Sequence, residues 1–564
     1  MYQVYNFVTL IFITILCLLY FIKSDKLQFE AANRYIDRCS GLVDKYWAIL
    51  LILLFGVFLF TRFFRIDITP AGIHLDEMGY SYDAYSLAFF GTDRKGNAYP
   101  VLPACYGDGS SPSFTYMLMI ALKFFPYSIK LMRSVMAISA IPCFIAAFFL
   151  FDDLFESKKW ALLGPIFVII TPYFFTSERW GLNVNQMLTV CTIMLYFCIH
   201  AFKYNKTKDY VLTGIFLGLV FYTYVLAYVM MPIFFILVCV YLIYIKKFEI
   251  KKAIMVAVPF GVLGVPPLLD QLVNLGVLPE FHFLFSDYHR LSVYRLGEVS
   301  FLNIFKNLGN IIPLLFGGGD LSFNSMKEFG TMYWCMIPFV FVGAVVSLYE
   351  TYKAIKNKTF SYYTILTFYG ISVYSIFILL SKFNIYNANS MYIEFIVLAT
   401  VGLRWLAGFY QEKKGNNVLL VISLSVIAIS AVSFTNFYFR KQNDVYGMHP
   451  VFISTEPGDM IRYSEALYNP DGDKKVYMEL NYNNRDYTDL LIALYTYMDP
   501  NVWRKHDNGE ENMGHFYFYF PENYDPSENA IYILGHEWDH ITSYLIGEGY
   551  YCDSTFEGYN ILVK

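Results

Sequence analysis

The chain has 564 residues, of which 57% are hydrophobic, 20% aromatic and only 16% charged. A soluble protein carries about a quarter charged residues, so this composition excludes an ordinary soluble globular protein. The net charge of -4 argues against nucleic acid as a partner. The nine cysteines include no C-x-x-C pair, so neither a zinc ribbon nor a redox dithiol is expected.

Apolar runs close to the length that crosses a bilayer, about 20 residues, recur along most of the chain. They continue to about residue 437 and predict a polytopic α-helical membrane protein. The first run has no basic start and no small-residue cleavage site, so we predict a retained helix rather than a signal peptide. We predict twelve spans, near 4–22, 46–64, 131–151, 160–176, 186–203, 209–225, 227–245, 253–270, 331–350, 361–381, 391–409 and 418–436.

The loops between these spans sort by charge. Loops rich in Lys and Arg, such as "KYNKTK", "KKFEIKK" and "QEKK", fall on one side, which we assign to the cytoplasm. The run at 113–125 is short for a span, and counting it would invert every later loop. We therefore expect it to pack on the outer side without crossing. The outer segments are then 66–130, 177–185, 271–330 and the C-terminal tail.

The tail alternates strand and helix patterns. "KKVYMEL", "FYFYF", "AIYIL" and "YNILVK" are typical of strands, whereas "DYTDLLIALYTYM" and "ITSYLIGEG" are typical of helices. We predict a small extracytoplasmic α/β domain over 438–564.

The first outer loop concentrates polar residues directly after a span. Asp76 and Glu77 are adjacent, Tyr80 and Asp83 follow at helical spacing, and a run of turn residues comes next. Adjacent carboxylates point in different directions, so one can meet a substrate while its neighbours hold the other. A partly desolvated carboxylate can accept a proton from an attacking hydroxyl. The alternative is that these acids simply solvate an exposed loop.

The stretch "HLDEMGYSYDAYSLAFFGTDRKGNAYPV" resembles the first extracytoplasmic loop of GT-C membrane glycosyltransferases of the protein O-mannosyltransferase-like (aminoarabinose transferase-like) type. These enzymes carry an acidic pair, a Tyr-Asp-Ala helix and a Gly-x-Asp-x-x-Gly-x-x-x-Pro run, in that order. "TPYFFTSERWGLNVNQM" is similar to their second-loop pattern Ser-Arg-Trp-x-Leu-x-x-Asn, with Glu178 inserted. "KFNIYNANSMYIEF" resembles a later loop that often carries Asn-Arg-x-Asn, although here the Arg is absent.

The resemblance covers roughly 46–440, and it implies three parts of the chain. We expect an additional transmembrane helix with a cytoplasmic segment at 1–45, a GT-C catalytic domain at 46–437 and the α/β domain at 438–564. The implied activity is sugar transfer from a polyprenyl-phosphate donor to an acceptor protein, lipid or cell-envelope glycan. The reaction would occur at the outer face of the cytoplasmic membrane, among membrane lipids and without nucleic acid.

The resemblance also implies roles for the acidic pair. Asp76 would deprotonate the acceptor hydroxyl in an inverting displacement, and Glu77 would orient the acceptor or the base. In some relatives an acidic residue at this place helps to hold a metal, so a divalent cation is left open. No other cofactor is expected, and we assign no residue as a metal ligand.

The leaving lipid phosphate needs cations where its charge develops. Outer-loop candidates are Arg179, His289, Arg290 and Arg295, and the alternative for each arginine is an interfacial anchor beside lipid headgroups. Candidates for contacts to the sugar or the acceptor are His74, Tyr80, Asp83, Asn183, Asn185, Asp320, Asn324, Tyr386 and Asn389.

Two other functions compete with this interpretation. His536, Glu537 and His540 fit H-E-x-x-H, which would make the protein a membrane-anchored zinc metalloprotease. However, a strand pattern ending in glycine precedes the motif, where a zincin needs a long helix. A transporter or flippase for a lipid-linked precursor would place charged residues within the spans, where Glu394 is the clearest of few.

Overall fold

The computed structural model describes residues 2–23, 30–107, 109–292, 307, 326, 328–379, 386–408, 417–446, 452–479, 485–521, 525, 527–556 and 558–564. The part of the chain before the tail is built almost entirely from helices. In chain order they are α1 (Tyr2–Lys23), α2 (Glu30–Phe63), α3 (Leu75–Phe90), α4 (Pro112–Leu122), α5 (Ile129–Ser139), α6 (Ile141–Phe155), α7 (Lys158–Ala161), α8 (Leu163–Ile170), α9 (Pro172–Ser177), α10 (Gln186–Tyr204), α11 (Thr207–Leu219), α12 (Ala227–Tyr244), α13 (Ile250–Asn274), α14 (Ile337–Asn357), α15 (Tyr362–Leu379), α16 (Met391–Leu406) and α17 (Asn417–Tyr446).

Eight of the described helical segments are long and apolar enough to cross a membrane. The other four predicted spans fall on helices of 18 residues or fewer (α11, α15 and α16) or on the interrupted segment α7–α9. The polytopic helical fold is thus confirmed, whereas the count of twelve stays a prediction. Helix α4 has 11 residues, about 16 Å, which is half the thickness of the hydrocarbon core.

Small residues let the helices approach closely at the centre of the bundle. A Cβ on Gly343 of α14 would lie 1.9 Å from the carbonyl oxygen of Leu398 on α16, and one on Gly402 would lie 2.0 Å from that of Phe339. Glycine at such positions is the usual means of close packing between membrane helices. Most of α16 is buried, which explains why its sequence is apolar on most sides, apart from Glu394 and Arg404.

The tail folds around one mixed sheet. Its strand order is β6–β7–β5–β8–β10–β9, from β5 (Val476–Glu479), β6 (Asn512–Met513), β7 (Phe516–Tyr517), β8 (Ile531–Gly535), β9 (Tyr551–Asp553) and β10 (Tyr559–Val563). Strand β5 pairs in parallel with β7 and β8, and the other pairings are antiparallel. The tail helices are α18 (Glu456–Tyr468), α19 (Arg485–Tyr495), α20 (Pro500–Asp507) and α21 (Asp539–Gly547).

The tail is docked onto the 66–130 loop. Strand β1 (Ile73–His74) pairs antiparallel with β4 (Phe452–Ile453), so the backbone just before Asp76 is fixed by the tail. Gly72 has a φ of 73°, and a Cβ there would lie 2.4 Å from the carbonyl oxygen of Ile453. Only glycine fits both this backbone conformation and this contact.

Candidate active site

Helix α3 begins at the acidic pair because its first turn is capped from both directions. His74 is the N-cap, and its Nδ1 accepts a hydrogen bond of 3.0 Å from the backbone N–H of Asp76. The Glu77 carboxylate accepts the backbone N–H of His74 at 3.1 Å, which completes a capping box. Gly91, in the left-handed region at φ 75°, ends the helix.

Glu77 is fully buried, and four groups bind its carboxylate. Arg133 donates from Nε to Oε1 and from Nη2 to Oε2, both at 3.0 Å, and the backbone N–H of Gly181 donates to Oε1 at 2.8 Å. The His74 N–H is the fourth donor. Burial by itself would raise the pKa of Glu77, but Arg133 and the backbone donors outweigh it and hold that pKa below its usual value. Glu77 therefore joins α3, α5 and the 177–185 turn as a structural anion.

Asp76 faces a different environment. Its side chain is 39% exposed, and its Oδ2 lies 3.8 Å from Nδ1 of His74. Within the described residues, Asp76 has no arginine or lysine partner. Tyr106 lies beside it and donates from its hydroxyl to the Leu75 carbonyl at 2.7 Å. The two adjacent acids thus have different roles, because one is enclosed and saturated while the other is open.

The loop after α3 is organised by two buried acids. Asp83 receives both Nε (2.9 Å) and Nη2 (3.0 Å) of Arg94. Asp93 accepts the backbone N–H groups of Lys95, Asn97 and Ala104 at 2.9–3.0 Å. The structure therefore places Asp83, a predicted substrate contact, inside an ion pair that fixes the loop.

Arg179 is fully buried at the end of α2, and its donors are used within the chain. Nη1 donates to the carbonyls of Thr61 and Arg62 at 2.5 and 3.0 Å, and Nη2 donates to those of Phe64 and Thr69 at 2.8 and 3.0 Å. Nε reaches the Tyr438 hydroxyl at 3.3 Å. This geometry caps a helix end, and it leaves no pair of guanidinium N–H groups to bind a phosphate. The phosphate-binding role that the sequence suggested for Arg179 therefore does not fit this geometry.

A hairpin brings two other predicted cations to the first loop. Strands β2 (Phe281–Phe283) and β3 (Ser286–Tyr288) precede His289 and Arg290. The Asp287 carboxylate accepts the Ala98 N–H at 2.6 Å, which joins the hairpin to that loop. Arg290 is exposed, whereas both ring nitrogens of His289 are buried with no hydrogen-bond partner. Burial lowers the pKa of His289, which favours its neutral form.

Three predicted asparagine contacts lie around the turn before α10. Asn183 and Asn185 are buried in the turn before α10, and their Nδ2 groups reach the carbonyls of Ser111 and Trp180 at 3.5 and 3.2 Å. Asn389 donates to the Val184 carbonyl at 2.8 Å, so the loop before α16 meets the same turn.

Tyr80 is buried, with its ring near Phe114. Tyr386 opens a 3-10 turn before α16. The predicted residues Arg295, Asp320 and Asn324 lie outside the described residues.

The H-E-x-x-H stretch does not form the helix of a zinc protease. His536–Trp538 is a 3-10 turn that follows β8 directly, and α21 begins only at Asp539. The two histidines are exposed, and His536 Nδ1 lies 3.5 Å from Asp539 Oδ1. Across the described parts of the chain, no three His, Cys, Asp or Glu side chains are grouped so that they could hold a metal.

Sequence reasoning missed the arginines that bind the buried acids. Arg133 binds Glu77, Arg94 binds Asp83, and Arg62 donates to Glu178 at 2.6 Å. A signal for two of them was present. Arg62 and Arg133 lie at the predicted outer ends of spans, where the positive-inside rule disfavours basic residues. Each position therefore indicates an arginine that is paired with a buried acidic residue.

Comparisons with known proteins give one family match. Residues 109–268 match the family described as dolichyl-phosphate-mannose-protein mannosyltransferase. The chain has no significant match among curated protein sequences.

Two crystal structures share the fold. ArnT from Cupriavidus metallidurans bound to undecaprenyl phosphate is 12% identical, with a TM-score of 0.54 over 91% of this chain and 97% of that one. The same protein in the apo state is 10% identical, with a TM-score of 0.54 over 91% and 98%. The archaeal oligosaccharyltransferase AglB from Archaeoglobus fulgidus, in complex with an inhibitory peptide and a dolichol-phosphate, gives 12% identity over 93% and 75%, with a TM-score of 0.46.

The helical membrane fold, which the ArnT crystal structures share, is that of the GT-C class. The predicted resemblance is confirmed by the family match over 109–268 and by the ArnT fold over nearly the whole chain. Together they indicate a glycosyltransferase.

Proposed function

We propose that this protein transfers a sugar from a polyprenyl-phosphate donor to an acceptor hydroxyl, with Asp76 as the general base. The observation that carries the proposal is the contrast within the acidic pair. Glu77 is enclosed by Arg133 and two backbone N–H groups, whereas the Asp76 side chain is 39% exposed. The enclosed acid fixes the start of α3, and the open acid is available to an incoming alcohol.

The chemistry of each step follows from these positions. The acceptor oxygen attacks the anomeric carbon of the donor as its proton passes to the Asp76 carboxylate. The bond from that carbon to the phosphate oxygen breaks, and the polyprenyl phosphate leaves with the electron pair. Attack opposite the leaving group inverts the anomeric configuration.

The leaving phosphate requires a cation, and we assign this role to the segment after β3. Arg290 is exposed and supplies the positive charge, whereas His289, neutral through burial, has two ring nitrogens without a hydrogen-bond partner and can add only a neutral hydrogen bond. This segment is joined to the first outer loop, since the Ser292 hydroxyl donates to the Gly107 carbonyl at 3.2 Å. Arg179 would act by positioning α2. The match to a dolichyl-phosphate-mannose family and the ArnT fold support a lipid-phosphate donor.

We place the acceptor side at the outer membrane face, as the loop charges predict. The acceptor is a protein, a lipid or an envelope glycan, and any of these offers the hydroxyl that the mechanism needs. A divalent cation beside Asp76 would add charge stabilisation, and adding EDTA to the assay tests that requirement.

The experiment uses the purified full chain with radiolabelled undecaprenyl-phosphate monosaccharides and a membrane extract as the source of acceptors. Released undecaprenyl phosphate is measured for wild type, Asp76→Asn and Asp67→Asn. Removal of a general base costs about 10²–10⁴-fold in rate, so we expect that loss for Asp76→Asn. Asp67, an exposed acid of the same outer segment, is the matched control and should retain full turnover. Equal turnover in wild type and Asp76→Asn would refute the proposed base.

A further inference from the structure

A cavity of about 540 Å³ lies between α10, α11, α12 and α13, far from the acidic pair. Helix α10 begins beside the 177–185 turn that contacts Glu77 and ends at Tyr204, next to the cavity. Its 19 residues span about 28 Å at the helical rise. The cavity is therefore at the opposite membrane face from Asp76, on the side that the charged loops assign to the cytoplasm.

The walls of the cavity are mainly apolar. Leu217 of α11, Phe234 and Val238 of α12 and Val256 of α13 face into it. Its volume is within the range of small-molecule sites, about 300–1,000 Å³. Its floor and sides therefore suit a hydrocarbon chain.

The mouth of the cavity is basic. Lys246 and Lys247 follow α12, are exposed, and have no ion-pair partner among the described residues. Lys252, also at the mouth, is paired with Glu249 and lies 5.6 Å from the Tyr210 ring centroid. The first two lysines thus supply uncompensated positive charge at the mouth.

A hydrogen-bond pair holds one side of this mouth in place. The Tyr241 hydroxyl of α12 donates to the Thr359 carbonyl at 2.7 Å and accepts the Ser361 N–H at 3.1 Å. Phe360, between these two residues, lines the cavity. The loop between α14 and α15 is therefore a fixed wall.

We propose that this cavity binds an anionic phospholipid of the adjacent leaflet, with one acyl chain between the helices and the phosphate at Lys246 and Lys247. A neutral lipid would leave both lysines unused, and a soluble anion would leave the apolar walls uncovered. Basic pockets between membrane helices on the cytoplasmic side are suited to anionic headgroups. The site is separate from the proposed active site, so neither proposal depends on the other.

The test measures lipid retention by native mass spectrometry. The full chain is exchanged into detergent with equimolar phosphatidylglycerol and phosphatidylcholine that carry the same acyl chains. We expect wild type to retain phosphatidylglycerol preferentially, and Lys246→Gln/Lys247→Gln to lose about fivefold of that preference per lysine. The matched control is Lys206→Gln/Lys208→Gln, two exposed lysines at the start of α11 that do not line the cavity; it should keep the preference.

A second variant tests the apolar part. Cys239→Phe places a larger side chain in the cavity lining and should reduce retention of phosphatidylglycerol while both lysines remain. Equal retention of the two lipids by wild type would refute the site, as would an unchanged preference in the Lys246/Lys247 variant. Displacement of phosphatidylglycerol by an equimolar amount of undecaprenyl phosphate would assign the cavity to the carrier lipid and overturn the proposal.

Discussion

Two groups of cations at opposite membrane faces of this protein are held in different ways. At the face with the acidic pair, Arg62, Arg94 and Arg133 are fully buried, and each is bound to a carboxylate. At the opposite face, Lys246 and Lys247 are exposed without an acidic partner in the described chain. The number of basic residues near a site therefore does not show whether the site can bind an anion. The buried arginines are already paired with carboxylates of the chain.

This difference separates two uses of positive charge. A buried arginine with saturated donors fixes backbone geometry, and it can bind a further anion only by breaking existing bonds. An exposed cation costs little to redirect toward a ligand. The comparison predicts that variants of the buried group change stability first, whereas variants of the exposed group change ligand binding alone.

The largest effect on stability is expected at Glu77. Glu77→Gln would leave Arg133 buried and uncompensated, which costs about 3–5 kcal/mol in free energy of unfolding. Asp76→Asn, one residue away, should change it by no more than about 0.5 kcal/mol. Denaturant titration of both variants in mixed micelles measures the contrast. Equal stability of the two variants would contradict the division of roles within the pair.

A double replacement sharpens the same point. Changing Glu77 and Arg133 together to methionine removes both charges, and such substitutions of buried pairs are often neutral in stability. We expect most of the stability lost in Glu77→Gln to return in the double variant. If the double variant is as unstable as the single one, the backbone hydrogen bonds of Glu77 and Arg133, which include those from Arg133 to the carbonyls of Ile66, Pro70 and Gly72, carry the stabilisation rather than the ion pair.

Arg179 and Arg290 test whether burial decides the role of an arginine. Arg179→Gln would leave several buried carbonyls unsatisfied, so we expect a loss of about 3 kcal/mol in stability. Arg290→Gln should leave stability unchanged and raise the KM for the donor by about tenfold, the effect of about 1.4 kcal/mol of lost binding. Unfolding and donor titration are measured on both. A raised donor KM in a fully stable Arg179→Gln would restore that residue as a phosphate ligand.

These residues also show how far sequence could go. The adjacency of Asp76 and Glu77 correctly indicated that the two side chains diverge, because neighbouring positions on a helix face different directions. The partner of Glu77 is 56 residues away, and four carbonyls of another segment surround Arg179. Such contacts depend on how the helices pack, and no local pattern encodes that packing.

In the tail too, the sequence predicted the local elements but not a contact with a distant segment. Its alternating periods correctly predicted strands β5, β7, β8 and β10 and helices α19 and α21. The two-residue strand β4 was missed, although it ties the tail to the acidic pair. A pairing of two residues on each side is too short to leave a periodic signal.

A smaller effect is expected at the contact between the tail and the first loop. Gly72→Ala would force a Cβ to within 2.4 Å of the Ile453 carbonyl oxygen, in a backbone conformation that also strains alanine. We expect a cost of about 1–3 kcal/mol and reduced sugar transfer, since β1 positions His74 and Asp76.

Gly472→Ala is the matched control for this contact. Gly472 has a similar φ of 68° but no atom within 4 Å of the added Cβ, so only the backbone strain applies. Sugar transfer should be unaffected in that control. Equal transfer by the two variants would show that docking of the tail does not position the acidic pair.

The smallest expected effect is the change with pH of the stability difference between wild type and Glu77→Gln. Because Arg133 and the backbone donors lower the pKa of Glu77 from its ordinary 4.5, ionised Glu77 stabilises the folded state at neutral pH. That contribution is fully present above pH 4.5 and is lost as the pH falls through the lower, folded-state pKa. The stability difference between wild type and Glu77→Gln should therefore be constant from pH 7 to about 5 and shrink below pH 4.5, the ordinary pKa of this group. Asp76→Asn, measured over the same range, controls for other carboxylates. A difference that instead grew on acidification would mean that Glu77 is neutral when folded, and Arg133 would then need another counter-charge.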